Sequence, residues 1–296
     1  MKTKTGKLLT MVLTLVLIFS MFSTSVFAAT TVVTDEDSSV LTLASAGNTV
    51  TYQAVTVDGG IKDGVTYPTT TTYTYCIKTA STSSVSVSVT NPQSYTLELN
   101  GSTLGSTSFS LNKNTQNILN LIDSNEDVFR SFNIAVVDSN SVNVSIEINC
   151  YNTARWLNSN TSPTVSAAYN TLSGHVGGFN SIGKMTSVVN LNLPGGSTAM
   201  DALYAMKNLK GFSLSGTGSA SGTGGSVYTY ISAIDGLGEF MCGSWSGWCY
   251  VVDDGGGYTL PGVGASSYYL SDGEHVTWVY TCTYADINDA IVNTSF

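Results

Sequence analysis

Residues 84–101 read SVSVSVTNPQSYTLELNG. Val85, Val87 and Val89 alternate with serine, and Tyr95, Leu97 and Leu99 alternate with polar residues. This period of two puts one apolar face inward and the Ser/Thr face outward. The second run ends in Asn100-Gly101, a dipeptide suited to the positive φ angles of a tight hairpin turn. The same period recurs at Phe132, Ile134 and Val136. It appears again at Val142, Val144, Ile146 and Ile148, and Cys150 continues that face. Several such strands separated by turn residues predict a β-sandwich-like domain over residues 29–155.

Downstream the pattern changes. Residues 156–183 lose the alternation and are rich in Asn and Gly, which predicts a linker with a short helix around 164–172. Residues 213–226 are Gly/Ser-rich and read as a flexible loop. Between them, Val188 to Leu193 reads as a strand, followed by Pro194-Gly195-Gly196. Ser197 or Thr198 can cap a helix, and Asp201 suits its positive N-terminal end. Met200, Leu203, Tyr204, Met206 and Leu209 form a helical stripe. Lys207 and Lys210 suit the helix end, and Gly211 can stop it. Strand-like runs follow at Val227–Ile234, Trp248–Val252 and His275–Tyr284. The expected class is mainly β with α+β: the sandwich-like domain, the linker, and a small α+β domain over 184–284 with one helix packed on antiparallel strands. Residues 285–296 read as a tail.

The N-terminus reads as an export signal. Lys2, Lys4 and Lys7 precede an apolar stretch from Leu8 to Phe22, and Val26-Phe27-Ala28 supplies small residues for cleavage after Ala28. Removal of residues 1–28 leaves 8 basic against 20 acidic residues, a net charge of −12. Such a chain does not grip nucleic acid by neutralising phosphates. No later stretch approaches the ~20 apolar residues of a membrane span. The five cysteines, Cys76, Cys150, Cys242, Cys249 and Cys282, lean toward disulfides in an exported chain. Cys76 and Cys150 can pair within the first half, while Cys242, Cys249 and Cys282 compete in the second.

Four stretches stand in order between residues 184 and 282: GGSTAMDALYAM (195–206), YISAIDGLGE (230–239), SGWCYVVDD (246–254) and PGVGASSYYLSDGEHVTWVYT (261–281). Together they resemble the transcobalamin C-terminal-like domain family, common in secreted proteins of Gram-positive bacteria. The strand, Asn-Gly and strand pattern over 84–150 more loosely resembles bacterial cadherin-like or immunoglobulin-like modules. The first resemblance implies a corrinoid ligand, cobalamin, covered by Trp248, Tyr250, Gly262, Val263, Gly264 and Tyr268. Cys249 departs from the Met often found in the family, Asp253-Asp254 from its Asn-Gly, and Glu274 from its second Asp.

The residues themselves point to binding rather than catalysis. Trp245, Trp248, Tyr250, Tyr258, Tyr268, Tyr269, Trp278 and Tyr280 crowd one segment, and rings beside Gly loops make platforms for planar ligands, sugars or partner side chains. Trp278 and Tyr280, alternating in a strand, also suit a packed core. Trp245 and Trp248 lie beside Gly243 and Gly247. Catalytic patterns are absent: Gly243-Ser244-Trp245-Ser246-Gly247 carries Trp where a nucleophile elbow needs Ser. Only His175 and His275 are available, and His275 is expected to be exposed. Asp123 to Asp127 begins like a calcium loop, but Val128 stands where Gly is needed and Ile134 where Glu is needed, so a solvated turn is expected. The expectation is a secreted, non-enzymatic protein that recognises a small molecule, an extracellular protein or a glycan, with no other cofactor and no metal. The alternative is a cell-surface adhesion or spacer protein without a small-molecule ligand.

Overall fold

The computed structural model describes residues 30–34, 40–57, 60–62, 65–91, 93–150, 186–242 and 245–282. The expected leader (1–28), the 156–183 linker with its helix and His175, and the 285–296 tail lie outside the described residues.

Thirteen strands come first: β1 Thr30–Thr34, β2 Thr42–Ala46, β3 Thr49–Val57, β4 Gly60–Lys62, β5 Val65–Tyr67, β6 Thr70–Thr79, β7 Ser84–Thr90, β8 Thr96–Leu99, β9 Ser102–Thr103, β10 Ser108–Asn112, β11 Thr115–Ile122, β12 Val128–Asp138 and β13 Ser141–Asn149. After the undescribed stretch come β14 Val189–Pro194, helix α1 Ala199–Lys210, β15 Leu214–Thr217, β16 Ala220–Gly222, β17 Gly225–Val227, β18 Tyr230–Ile234, β19 Leu237–Gly238, β20 Gly247–Asp253, β21 Tyr258–Thr259 and β22 His275–Thr281.

Two sheets form the first unit, ordered β1-β2-β7-β10 and β3-β6-β12-β11-β8-β9. The alternation read from the sequence is what closes them. Leu43, Val85, Val87, Val89 and Leu111 from one sheet share a core with Val50, Tyr75, Ile77, Leu97, Leu119, Leu121, Phe132 and Ile134 from the other. The Asn-Gly turn is as expected, with φ 51° at Asn100 and 78° at Gly101. The Asn100 side chain is tied down as well, donating to Asn117 Oδ1 at 2.9 Å and accepting from the Ile118 N–H at 2.9 Å.

Strand β13 departs from the expected organisation. Its alternation groups it with the N-terminal strands, yet it pairs antiparallel with β14 and parallel with β22. It is therefore a central strand of the second unit, whose sheet runs β14-β13-β22-β20-β21. Alternation reports that one strand face is buried and carries no information about the neighbour. The passage between units is the Ser139–Asn140 turn. There the Ser139 N–H donates to Thr79 O at 2.9 Å, the Asn140 N–H to Asp138 Oδ1 at 2.9 Å, and the Gly195 N–H to Asn140 O at 3.0 Å.

Helix α1 matches the expected stripe and caps. Thr198 is the N-cap, with a reciprocal capping box to Asp201, and Gly211 stops the helix in the left-handed conformation at φ 80°. Ala199, Met200, Ala202, Leu203 and Met206 pack on Val144, Ile146, Ile148, Trp278 and Tyr280 of the sheet. Leu209, read as part of the stripe, is exposed instead. The Gly/Ser-rich 213–226 segment is also not a loop, since it builds β15, β16 and β17. Some of its glycines answer to close packing: a Cβ on Gly222 would lie 2.4 Å from Asp201 Oδ1, and one on Gly216 would lie 2.2 Å from the Tyr230 carbonyl oxygen. The 227–234 run is split between the end of β17 and β18; Tyr228 and Thr229 lie between them, and the Thr229 N–H donates to Thr217 O at 3.1 Å.

No disulfide joins the five cysteines. The Cys76–Cys150 pairing does not fit the fold. Cys76 packs with Ala135, Val137 and Tyr269, whereas Cys150 closes the core beneath α1. The same misassignment of β13 accounts for both departures.

Candidate functional site

An apolar cleft of about 210 Å3 opens between α1, β18, β20, β22 and the 260–265 loop. Trp248 and Tyr250 on β20 and Trp278 on β22 line it, joined by Met200, Ile231, Leu260, Gly264 and Ala265. The register explains the aromatic wall. Trp248 pairs with Tyr280 and Tyr250 with Trp278 across the antiparallel β20–β22 ladder, so four rings share the face under the helix.

Each ring is fixed. Trp248 Nε1 donates to Leu237 O at 2.7 Å, and its ring meets Tyr280 edge-on at 5.2 Å. The Tyr250 hydroxyl donates to Val263 O at 2.5 Å, which ties the 260–265 loop to the strand. Tyr250 also meets Trp278 at 5.8 Å and Tyr268 at 6.2 Å. The loop continues into the helix start: the Ala199 N–H donates to Tyr268 O at 2.9 Å and the Met200 N–H to Ala265 O at 3.0 Å. These bonds satisfy two of the amides that a helix N-terminus leaves open, and they hold the cleft rim against α1.

The residues anticipated from the sequence separate into three groups. Trp248, Tyr250 and Gly264 line the cleft. Val263 and Tyr268 support it from behind, and Gly262 is exposed beside it. Trp245 is 60% exposed and does not line the cleft. Met200, Ile231, Leu260, Ala265 and Trp278 were not anticipated as lining. Trp278 is both core and cleft floor, 3% exposed, with its Nε1 buried and unpartnered. Its alternation with Tyr280 was the available signal. His275 is half-buried rather than exposed, with Nδ1 2.6 Å from Ser145 Oγ and its ring against Tyr258. Its neighbour on β13 could not be foreseen.

Behind Tyr250, Glu274 is 5% exposed. Its Oε1 accepts from the Tyr268 hydroxyl and its Oε2 from the Ser271 N–H, both at 2.8 Å. Burial raises its carboxyl from 4.5 to about 7, against the lowering effect of those two hydrogen bonds. The unfolded chain therefore loses this proton first as pH rises. The stabilisation from protonated Glu274 is whole below about 4.5 and is lost as pH climbs through about 7. Glu274→Gln keeps an oxygen for the Ser271 N–H, turns its amide N–H to the Tyr268 hydroxyl oxygen, and never ionises. In urea titrations from pH 4 to pH 8 it is expected to remove this part of the slope and to exceed the parent by about 2–3 kcal/mol at pH 8. Equal slopes in the two proteins would contradict this.

Elsewhere, Asp123 Oδ1 accepts from the N–H groups of Asn125 (2.8 Å) and Asp127 (3.1 Å), the internal bonding of a turn. Among the described residues no cluster of three His, Cys, Asp or Glu side chains is placed to hold a metal, and no helix is long and apolar enough to cross a membrane.

No curated protein matches the chain. Residues 196–282, from the turn before α1 to the end of β22, match the family model described as a domain of unknown function (DUF4430).

Proposed function

We propose that the chain is exported and acts outside the cell as a non-enzymatic binding protein, with the aromatic cleft of its second unit as the ligand site. The cleft itself carries this reading. Trp248, Tyr250, Trp278 and Tyr230 are the aromatic residues of a concavity whose other lining is mostly aliphatic or sulfur-bearing, with Thr229 among it, and Leu260 stands 44% exposed at its rim. A volume of about 210 Å3 suits one or two fused rings, given that an apolar cavity near ~150 Å3 holds benzene. The resemblance of residues 184–282 to the transcobalamin C-terminal-like family supports a corrinoid. A corrin macrocycle far exceeds this volume, so such a ligand would insert an edge or substituent and lie across the mouth.

The test is ligand-observed NMR and Trp-fluorescence titration of the mature protein with 2-naphthol, indole, cobalamin and cobinamide, with co-elution on gel filtration for the corrinoids. Saturable binding is expected, weakened about tenfold or more by Leu260→Asp, which puts a charge on an apolar rim without touching the core. Absence of saturable binding by every probe up to millimolar concentration would overturn the reading.

A second reading, adhesion through the first unit, is favoured by one observation. Tyr95 and Phe129 stack at 4.8 Å, Arg130 lies over the rings of Tyr73 and Phe129, and Val128 and Phe129 are exposed at 56% and 47%. Such an exposed aromatic patch suits a protein or glycan partner.

A further inference from the structure

Three of the five thiols gather at one end of the second unit. Residues 239–242 meet Ser246 beside the end of β22: the Phe240 N–H donates to Ser246 O at 2.9 Å, and the Cys242 N–H donates to Ser246 Oγ at 3.0 Å. The Tyr280 hydroxyl closes the arrangement, donating to Gly238 O at 2.6 Å and lying 3.2 Å from Ser246 Oγ. Gly247 pairs with Thr281, so the next step of the ladder puts Ser246 level with Cys282. Cys242 and Cys282 are thereby brought to one spot, and their thiols are in hydrogen-bonding contact. Cys150 follows Asn149, which pairs with Val279, so it lies level with Tyr280 on the neighbouring strand. Cys249 lies back along β20 at the cleft, and Cys76 belongs to the cluster around Tyr269.

We infer that Cys242 and Cys282 form a disulfide that staples the 239–242 segment to the end of the last strand. The oxidant is a small-molecule disulfide. One cysteine thiolate attacks it and releases a thiol, and the second cysteine then displaces the other thiol from the mixed disulfide. Two protein thiols are oxidised, one disulfide is reduced, and the two protons leave with the released thiols. Cys242 is suited to the first attack. The hydrogen bond from Cys282 lowers its thiol, outweighing burial, whereas burial raises Cys249 and lifts Cys76 to about 12. Cys150, whose thiol is raised by complete burial, remains reduced beside the pair.

The bond is independent of the ligand reading and is tested without reference to it. The purified protein is incubated with glutathione disulfide, unfolded in guanidinium with iodoacetamide, and digested with chymotrypsin. No Lys or Arg follows Lys210, so trypsin would leave all three second-half cysteines in one peptide. A linked pair containing Cys242 and Cys282 is expected, two hydrogens lighter than the reduced pair, with Cys76, Cys150 and Cys249 alkylated. Cys249→Ser should leave the linkage unchanged. Alkylation of both Cys242 and Cys282 without prior reduction, or a link from Cys242 to Cys150 or Cys249, would overturn the inference.

Discussion

A fragment beginning at residue 184 is expected to be unfolded, whereas one beginning at Ser141 should fold cooperatively. The shorter fragment contains the whole segment that matches the family model, but it lacks β13. That strand sits between β14 and β22, and β14 has no other partner in its sheet. Its loss removes Val142, Val144, Ile146 and Ile148 from beneath α1, all of them buried. Burial of an aliphatic side chain contributes about 1.5–3 kcal/mol. The four together are worth roughly 6–12 kcal/mol, comparable with the ~5–15 kcal/mol that holds a whole domain. Far-UV circular dichroism with urea titration and amide NMR dispersion will separate the two fragments. A cooperative transition in the 184–296 fragment would mean that β22 is stable as a sheet edge, contrary to this account.

Asp201→Ala is expected to be the most damaging single polar substitution on α1, costing about 3 kcal/mol or more. Asp201 is 8% exposed. Its Oδ2 accepts from the Thr198 N–H at 2.8 Å and from Thr198 Oγ1 at 2.9 Å. Its Oδ1 accepts from the Thr223 N–H at 3.0 Å, which ties the β16–β17 hairpin to the helix start. Alanine leaves the two buried Thr198 donors without acceptors and unties the exposed Thr223, and an unmade buried hydrogen bond costs more than a made one contributes. Asp201→Asn keeps one acceptor oxygen and should recover part of the loss. The readout is the urea midpoint at constant m-value. A change below about 0.5 kcal/mol for Asp201→Ala would show that water replaces the carboxylate without cost.

The cleft was partly legible. Trp248 was visible as a ring beside a glycine and Tyr250 as one of the crowded aromatics, whereas Gly264 was pointed to only by the resemblance of its segment to the transcobalamin C-terminal-like family. Trp245 has the same local signature and stands outside, 60% exposed. The difference is one of register: Trp248 falls within the β20–β22 ladder, and Trp245 precedes it. Met200 and Ile231 carry no local mark of a site, because an apolar residue on a helix stripe or a strand face looks the same whether it meets core or cleft.

Local chemistry alone determined the strand faces of the first unit, the Asn100-Gly101 turn, the limits of α1 and the α+β character of the second unit. Each follows from forces acting within a few residues: alternation across a pleat, a capping side chain, a glycine at positive φ. Tertiary structure alone decided that β13 serves the second unit and that the Gly/Ser-rich 213–226 segment packs as strands. It alone brought Cys150, Cys242 and Cys282 together and gave the aromatic wall an opening. These depend on which long-range neighbour a strand edge or a bare glycine meets, and such neighbours leave no periodic signature in the chain.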